Sequence, residues 1–186
     1  IHKKFKVNPD LLTLGKALGN GYAITAILGI EKIMKTINTT FISSTFWTER
    51  IGSVAALKTL EVMQKEKSWI KITAVGKKII SHWKILAKKH NLKIHIAGIP
   101  SLCSFSFLSN KNNAYKTYIT QEMLKNNILA SNVVYSSIAH SDKILKKYFI
   151  VLDKIFKDIS LFEKGLDINK YYPSAWTQNS SNSSSS

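Results

Sequence analysis

Cysteine occurs once, at Cys103, so the chain can close no internal disulfide and build no cysteine zinc cluster. A reducing compartment suits such a sequence, and a cytoplasmic protein is the expectation. Arginine also occurs once, at Arg50, among 27 basic and 11 acidic residues. The formal charge of +16 would attract polyanions. Interfaces that read nucleic-acid sequence, however, lean on guanidinium forks, and here the lysines are spread along every segment. Nucleic-acid binding is not expected. No apolar run approaches the roughly 20 residues that cross a bilayer, so no membrane partner is expected either. His82, His90 and His95 have no ligand-like spacing with acids or with the cysteine, and no metal is expected.

What is present is a 45% hydrophobic chain of 186 residues, enough for one sizeable core or parts of two domains. Residues 11–14 and 23–29 read as extended apolar segments, 31–37 as a short helix and 41–43 as a short strand. Thr48 is placed to cap a helix over 49–65. A longer helix is expected over 69–90, because Val75, Ile79, Trp83 and Leu86 recur at three- and four-residue spacing. Residues 93–96 and 103–107 alternate polar with apolar, as half-buried strands do. A helix over 114–125, a strand within 128–136 and a last helix with Ile144, Tyr148, Leu152, Ile155 and Ile159 on one face complete the order. Trp69, Trp83, Phe105 and Phe107 read as core. The end of the chain, from Thr177 onward, is too polar to pack.

One lysine stands in unusual surroundings. The run Pro9-Asp10-Leu11-Leu12-Thr13-Leu14-Gly15-Lys16-Ala17-Leu18-Gly19-Asn20-Gly21-Tyr22 puts Lys16 at a strand exit, followed at once by a glycine-rich turn. A lysine so presented, with small neighbours, can offer its amine to a carbonyl and form a Schiff base.

The segment from Thr13 to Gly21 resembles the pyridoxal-phosphate lysine motif of class III, fold type I aminotransferases. Among them it is most like glutamate-1-semialdehyde 2,1-aminomutase and related polysaccharide-cluster aminotransferases. A second block, Phe41-Ile42-Ser43-Ser44-Thr45-Phe46-Trp47-Thr48-Glu49-Arg50-Ile51-Gly52, lies where that family places a phosphate-contacting threonine. The resemblance implies an α/β chain that forms the C-terminal part of a fold type I transferase. Residues 1–66 would end the cofactor-binding large domain, 67–172 would form a small α+β domain, and 173–186 a disordered Ser/Asn-rich tail. Much of the cofactor pocket would lie upstream, leaving this piece inactive alone.

The resemblance also implies roles. Lys16 becomes the catalytic, Schiff-base lysine that holds pyridoxal 5'-phosphate. Thr45 becomes a contact to the cofactor phosphate of the neighbouring subunit, with Ser44 as the alternative to it, which makes the protein a homodimer with shared active sites. A helix N-terminus just after Thr45 would favour the same anion. Small-molecule amino donors and carbonyl acceptors are the expected partners.

Two features set the chain apart. The bulky Phe46-Trp47 pair stands where the aminomutase has small residues, and no acid lies between Asn126 and His140, where the aminomutase carries a substrate-facing glutamate. His140, in Ser136-Ser137-Ile138-Ala139-His140-Ser141-Asp142, reads as a residue that ties a turn. Two other readings of the chain remain: a basic polyanion-binding module, and a truncated remnant without activity.

Overall fold

Leu11–Leu14 (β1) and Ala26–Gly29 (β2) pair antiparallel, with Leu11 opposite Gly29 and Leu14 opposite Ala26. They open the computed structural model, which describes residues 5–45 and 48–171 and divides into two units, 1–68 and 69–186. The Ser/Asn-rich tail and the Phe46-Trp47 pair therefore lie outside the described residues.

In the first unit a helix over 31–37 was expected. The structure has a short α-helix, Glu31–Met34 (α1), continued by a 3-10 turn, Lys35–Thr39. The hydroxyls of Thr36, Thr39 and Thr40 donate to the carbonyls of Ile33 and Thr36 at 2.7–3.0 Å, an alternative to continued helix that β-branched hydroxyl residues favour. Residues 41–43 form no strand, because no strand among the described residues pairs with them, and Phe41 is exposed.

The next helix, Ile51–Glu66 (α2), begins two residues later than expected, and Thr48 is not its cap. Glu49 does that work: its carboxylate accepts from the backbone N–H groups of Ile51 and Gly52, the latter at 3.0 Å. A negative group is well placed there, since the first amides of a helix carry its positive end. Glu49→Ala is expected to cost about 1 kcal/mol, the usual value of a cap. A urea midpoint unchanged by that substitution would contradict the assignment.

Among the described residues of this unit, only Gly19, Gly52, Ala56 and Ser68 are buried. Ile51, Val54, Leu57 and Leu60 on α2 are all exposed although apolar residues run round the helix. A helix apolar on every side is one that a larger core encloses. A two-stranded pair is likewise marginal without further packing.

The second unit has its own core. Ser68–Lys89 (α3), Asn112–Lys125 (α4) and Asp142–Glu163 (α5) accompany a three-stranded antiparallel sheet. Its strands Ile94–Ile99 (β3), Leu102–Phe107 (β4) and Val133–Tyr135 (β5) stand in sequence order, with Ile94 opposite Phe107 and Cys103 opposite Val134. Cys103, Phe105 and Phe107 are buried while Ser104 and Ser106 between them are half-buried, so the alternation read from the sequence is real burial. Trp83, Tyr115, Phe156 and Phe162 complete an aromatic centre, where the Trp83 indole N–H donates to the Tyr148 hydroxyl at 2.9 Å. Close approach fixes Gly76: a Cβ there would lie 1.7 Å from the Pro100 carbonyl oxygen.

Two core expectations need correction. Trp69 is 47% exposed, because the first turn of α3 precedes the stretch, from Val75 onward, that meets the core. Ile144 is exposed too, and its neighbour Leu145 takes the buried position in the first turn of α5.

Ion pairs join the two long helices. Asp153 of α5 receives Lys89 at 2.6 Å and His90 at 2.7 Å. The Lys89 hydrogen bond, chiefly, holds the Asp153 carboxyl below its ordinary value. His82, stacked on Phe149 with ring centres 3.8 Å apart, is lowered by burial. Both groups favour the fold in their deprotonated forms, so stability falls with falling pH. The His82 part declines as pH drops below about 6.5 through its lowered folded value, and the Asp153 part as pH drops below about 3.9 through its own. Urea midpoints measured across this range should lose the upper step in His82→Phe and the lower step in Asp153→Asn. Acid profiles identical to that of the unaltered chain would contradict both attributions.

Candidate active site

β1 delivers the chain to Gly15, whose backbone is extended, and then to Lys16, whose φ of 47° lies in the left-handed region. That conformation costs a residue with a side chain roughly 1–2 kcal/mol and is found where surrounding structure enforces it. Here a 3-10 turn, Lys16–Leu18, does so. Leu18 N–H donates to the Gly15 carbonyl at 3.0 Å, Asn20 N–H to that of Lys16 at 3.2 Å and Tyr22 N–H to that of Gly19 at 3.1 Å. Gly19 is required: a Cβ would stand 2.0 Å from the Tyr22 carbonyl oxygen. The Lys16 side chain is exposed and has no ion pair or hydrogen bond among the described residues.

The turn that carries Lys16 packs on α2. Gly52 permits a further close approach, since a Cβ there would lie 2.7 Å from the Ala23 carbonyl oxygen. Beside this contact is a cavity of about 300 Å³ lined by Ala23, Ile24, Thr25, Ser44, Glu49, Gly52 and Ser53. Ser44 therefore shares a polar pocket with two other hydroxyls and a carboxylate. Thr45 is exposed, in the segment that leads into α2, and is not part of that lining. No hydrogen bond joins Thr45 to Lys16.

The expected anion site at the start of α2 needs revision. Glu49 already occupies the amides of Ile51 and Gly52, so an anion near Thr45 would depend on the threonine hydroxyl and not on these two donors. Sequence reasoning passed over Glu49, although an acid just before an apolar helical run is a recognisable start signal. His140 behaves as a turn residue: its Nδ1 accepts the Ser137 N–H at 3.0 Å. No group of three His, Cys, Asp or Glu side chains among the described residues could hold a metal.

Residues 1–143 match the family of class-III aminotransferases. The chain belongs to that family. It is 32% identical over 130 residues to a 3-aminobutyryl-CoA aminotransferase of Cloacimonas acidaminovorans, covering 68% of this chain and 31% of that protein. A glutamate-1-semialdehyde 2,1-aminomutase of Francisella philomiragia is 25% identical over 177 residues, covering 83% and 40%. The class-III aminotransferase chain thus spans about two fifths or less of these curated relatives.

Solved structures share its fold. The FumI protein of Sphingopyxis sp. MTA144, in its PLP internal aldimine form, superposes with a TM-score of 0.79 at 20% identity, covering 91% of this chain and 42% of that one. An omega-transaminase from Sphaerobacter thermophilus gives 0.75 at 15% identity, covering 84% and 40%. The fold is thus the mixed α/β, fold type I architecture of PLP-dependent transaminases, and pyridoxal phosphate is the cofactor of the family. Lys16 fits that cofactor: its side chain is exposed, unpaired among the described residues, flanked by small residues and held by a left-handed backbone at a strand exit.

Proposed function

We propose that the protein carrying this chain transfers amino groups between small-molecule amines and carbonyl compounds, with Lys16 as its catalytic residue. The observation that supports this reading most is the Lys16 amine, unpaired among the described residues and presented by an enforced turn. When bound, the cofactor supplies an electron sink for the substrate carbon that loses its proton. Lys16 anchors the cofactor at rest through Nζ. When not so engaged, Nζ would take up the proton that the amine-bearing carbon of the substrate loses.

Thr45 is proposed to donate its hydroxyl to the cofactor phosphate in the neighbouring subunit of a homodimer. Its exposure leaves it available, and the exposed apolar residues of α2 suit a unit enclosed by more protein. A cytoplasmic location fits the single cysteine and the lack, among the described residues, of a helix long and apolar enough to cross a membrane. Domain limits at 1–66 and 67–172 are proposed for the large-domain part and the small domain. The residues of this chain that belong to the reaction are thus few, and alone it is expected to be inactive.

Transfer between two molecules is favoured over the aminomutase reaction because no acid occurs between Asn126 and His140. Incubation of the cofactor-loaded protein with an amino donor and no acceptor tests this. Two-molecule transfer releases one oxo product per protomer and then stops until an acceptor is added. Steady conversion of glutamate-1-semialdehyde with no second substrate would instead establish the intramolecular reaction.

A further inference from the structure

One side chain stands against both of the glycines at which the Lys16 turn and α2 come close. A Cβ on Gly19 would lie 2.8 Å from Ile24 Cγ2, and a Cβ on Gly52 would lie 3.1 Å from Ile24 Cβ. Ile24 therefore fills the space that side chains at those two positions would take, with the turn on one side and the first turn of α2 on the other. It stands two residues before β2, whose Ala26 pairs with Leu14 at the end of β1. The wedge is thus tied to the strand pair that delivers the chain to Lys16.

Isoleucine suits that place. A side chain branched at Cβ has few χ1 states, so its Cβ and Cγ2 stand in a fixed relation to the backbone. Both contacting atoms belong to that rigid part. The left-handed backbone of Lys16, at φ 47°, persists only where its surroundings over-determine it. In an otherwise exposed turn, the half-buried Ile24 adds packing to the hydrogen bonds that hold it.

We propose that Ile24 is a positioning residue for Lys16: its Cβ and Cγ2, wedged between Gly19 and Gly52, hold the turn against α2 and so fix where the lysine amine is offered. The inference rests on the reading of Lys16 as the catalytic lysine. A displacement of about 1 Å in such a group can cost about 10²-fold in rate.

Two substitutions separate the wedge from mere bulk. Ile24→Val keeps Cβ and Cγ2 and loses one terminal methyl, whereas Ile24→Leu keeps the volume and loses the branch. Ile24 also borders the cavity of about 300 Å³ beside α2, so a leucine has room to turn away from the glycines without breaking the fold. Amide exchange in the 186-residue chain reads the turn directly, through the N–H groups of Leu18, Asn20 and Tyr22. Ile24→Leu should speed their exchange by about tenfold or more and Ile24→Val by less than about threefold, while the Phe105 N–H of the second unit exchanges alike in every sample. In the cofactor-loaded protein, Ile24→Leu should lower kcat by about tenfold or more with KM for the amino donor within about twofold, and Ile24→Val should keep about half of kcat or more. A side chain that only fills volume would rank the two variants the other way. Equal exchange in the two variants, a turn without protection in the unaltered chain, or full turnover in Ile24→Leu while Lys16→Ala is inactive overturns the proposal. Turnover retained in Lys16→Ala overturns the reading of Lys16 instead, and the exchange rates then decide the wedge by themselves.

Discussion

In the protein that carries this chain, Lys16→Ala is expected to lower the proposed amino transfer by at least about 10²–10⁴-fold, the scale of a lost proton-transfer group, and to remove the covalent anchor proposed for the cofactor. Lys16→Arg should give the same loss. Arginine keeps the positive charge but stays protonated and cannot condense with a carbonyl, so this pair separates chemistry from electrostatics. Neither change should disturb the fold. Lys16 is exposed and makes no side-chain bond among the described residues, so the unfolding midpoint should move by no more than surface substitutions do, about 0.5 kcal/mol. Turnover assays with unfolding curves on the same samples check both halves. Retention of more than about a tenth of wild-type turnover in Lys16→Ala would remove this residue from the reaction.

Trp83→Ala should have the largest effect on stability. The side chain is fully buried, contacts Phe105 at a ring-centre distance of 4.7 Å and supplies the Tyr148 hydroxyl with its donor. Large-to-small changes of this kind cost about 3–5 kcal/mol, a large part of the roughly 5–15 kcal/mol that holds a domain together. Trp83→Phe keeps much of the ring volume and should cost less, with the lost hydrogen bond accounting for about 0.5–1.5 kcal/mol. Trp69→Ala serves as the contrast, because Trp69 is 47% exposed. Its cost should stay near that of a surface change, about 0.5 kcal/mol. Urea unfolding of the three variants should rank them in that order, and equal losses in Trp83→Ala and Trp69→Ala would show that the buried aromatic centre is misassigned.

The second unit was legible in the sequence because its elements bury their apolar faces against one another within the same chain. Val75, Ile79, Trp83 and Leu86 on α3, and Cys103, Phe105 and Phe107 on β4, follow the helix and strand periods and do line the core or its edge. Trp69 and Ile144 misled only because periodicity gives a face and not the point where a helix first meets the core. The first unit was harder to read. On α2 apolar residues run round the helix, so no face could be chosen, and residues 41–43 had extended character without a strand to pair with. Thr48 was a reasonable cap by residue type, yet Glu49 reached the amides with its longer carboxylate.

Of the proposed site, the turn that carries Lys16 was the most legible part, since its signal is local: glycine is needed at Gly19 and Lys16 itself is left-handed. The phosphate contact proposed for Thr45 was not legible in the same way. It is exposed and lies outside the cavity beside α2, where Ser44 stands instead. Its proposed role depends on a second subunit, which one chain's sequence pattern does not encode.

The most direct test of the central claim is to reduce the cofactor-loaded protein with borohydride, digest it and weigh its peptides. The account predicts the mass of the reduced cofactor on the peptide that contains Lys16, and its loss from that peptide in Lys16→Ala. An unmodified Lys16 peptide, or the same mass carried by a different lysine, would contradict it.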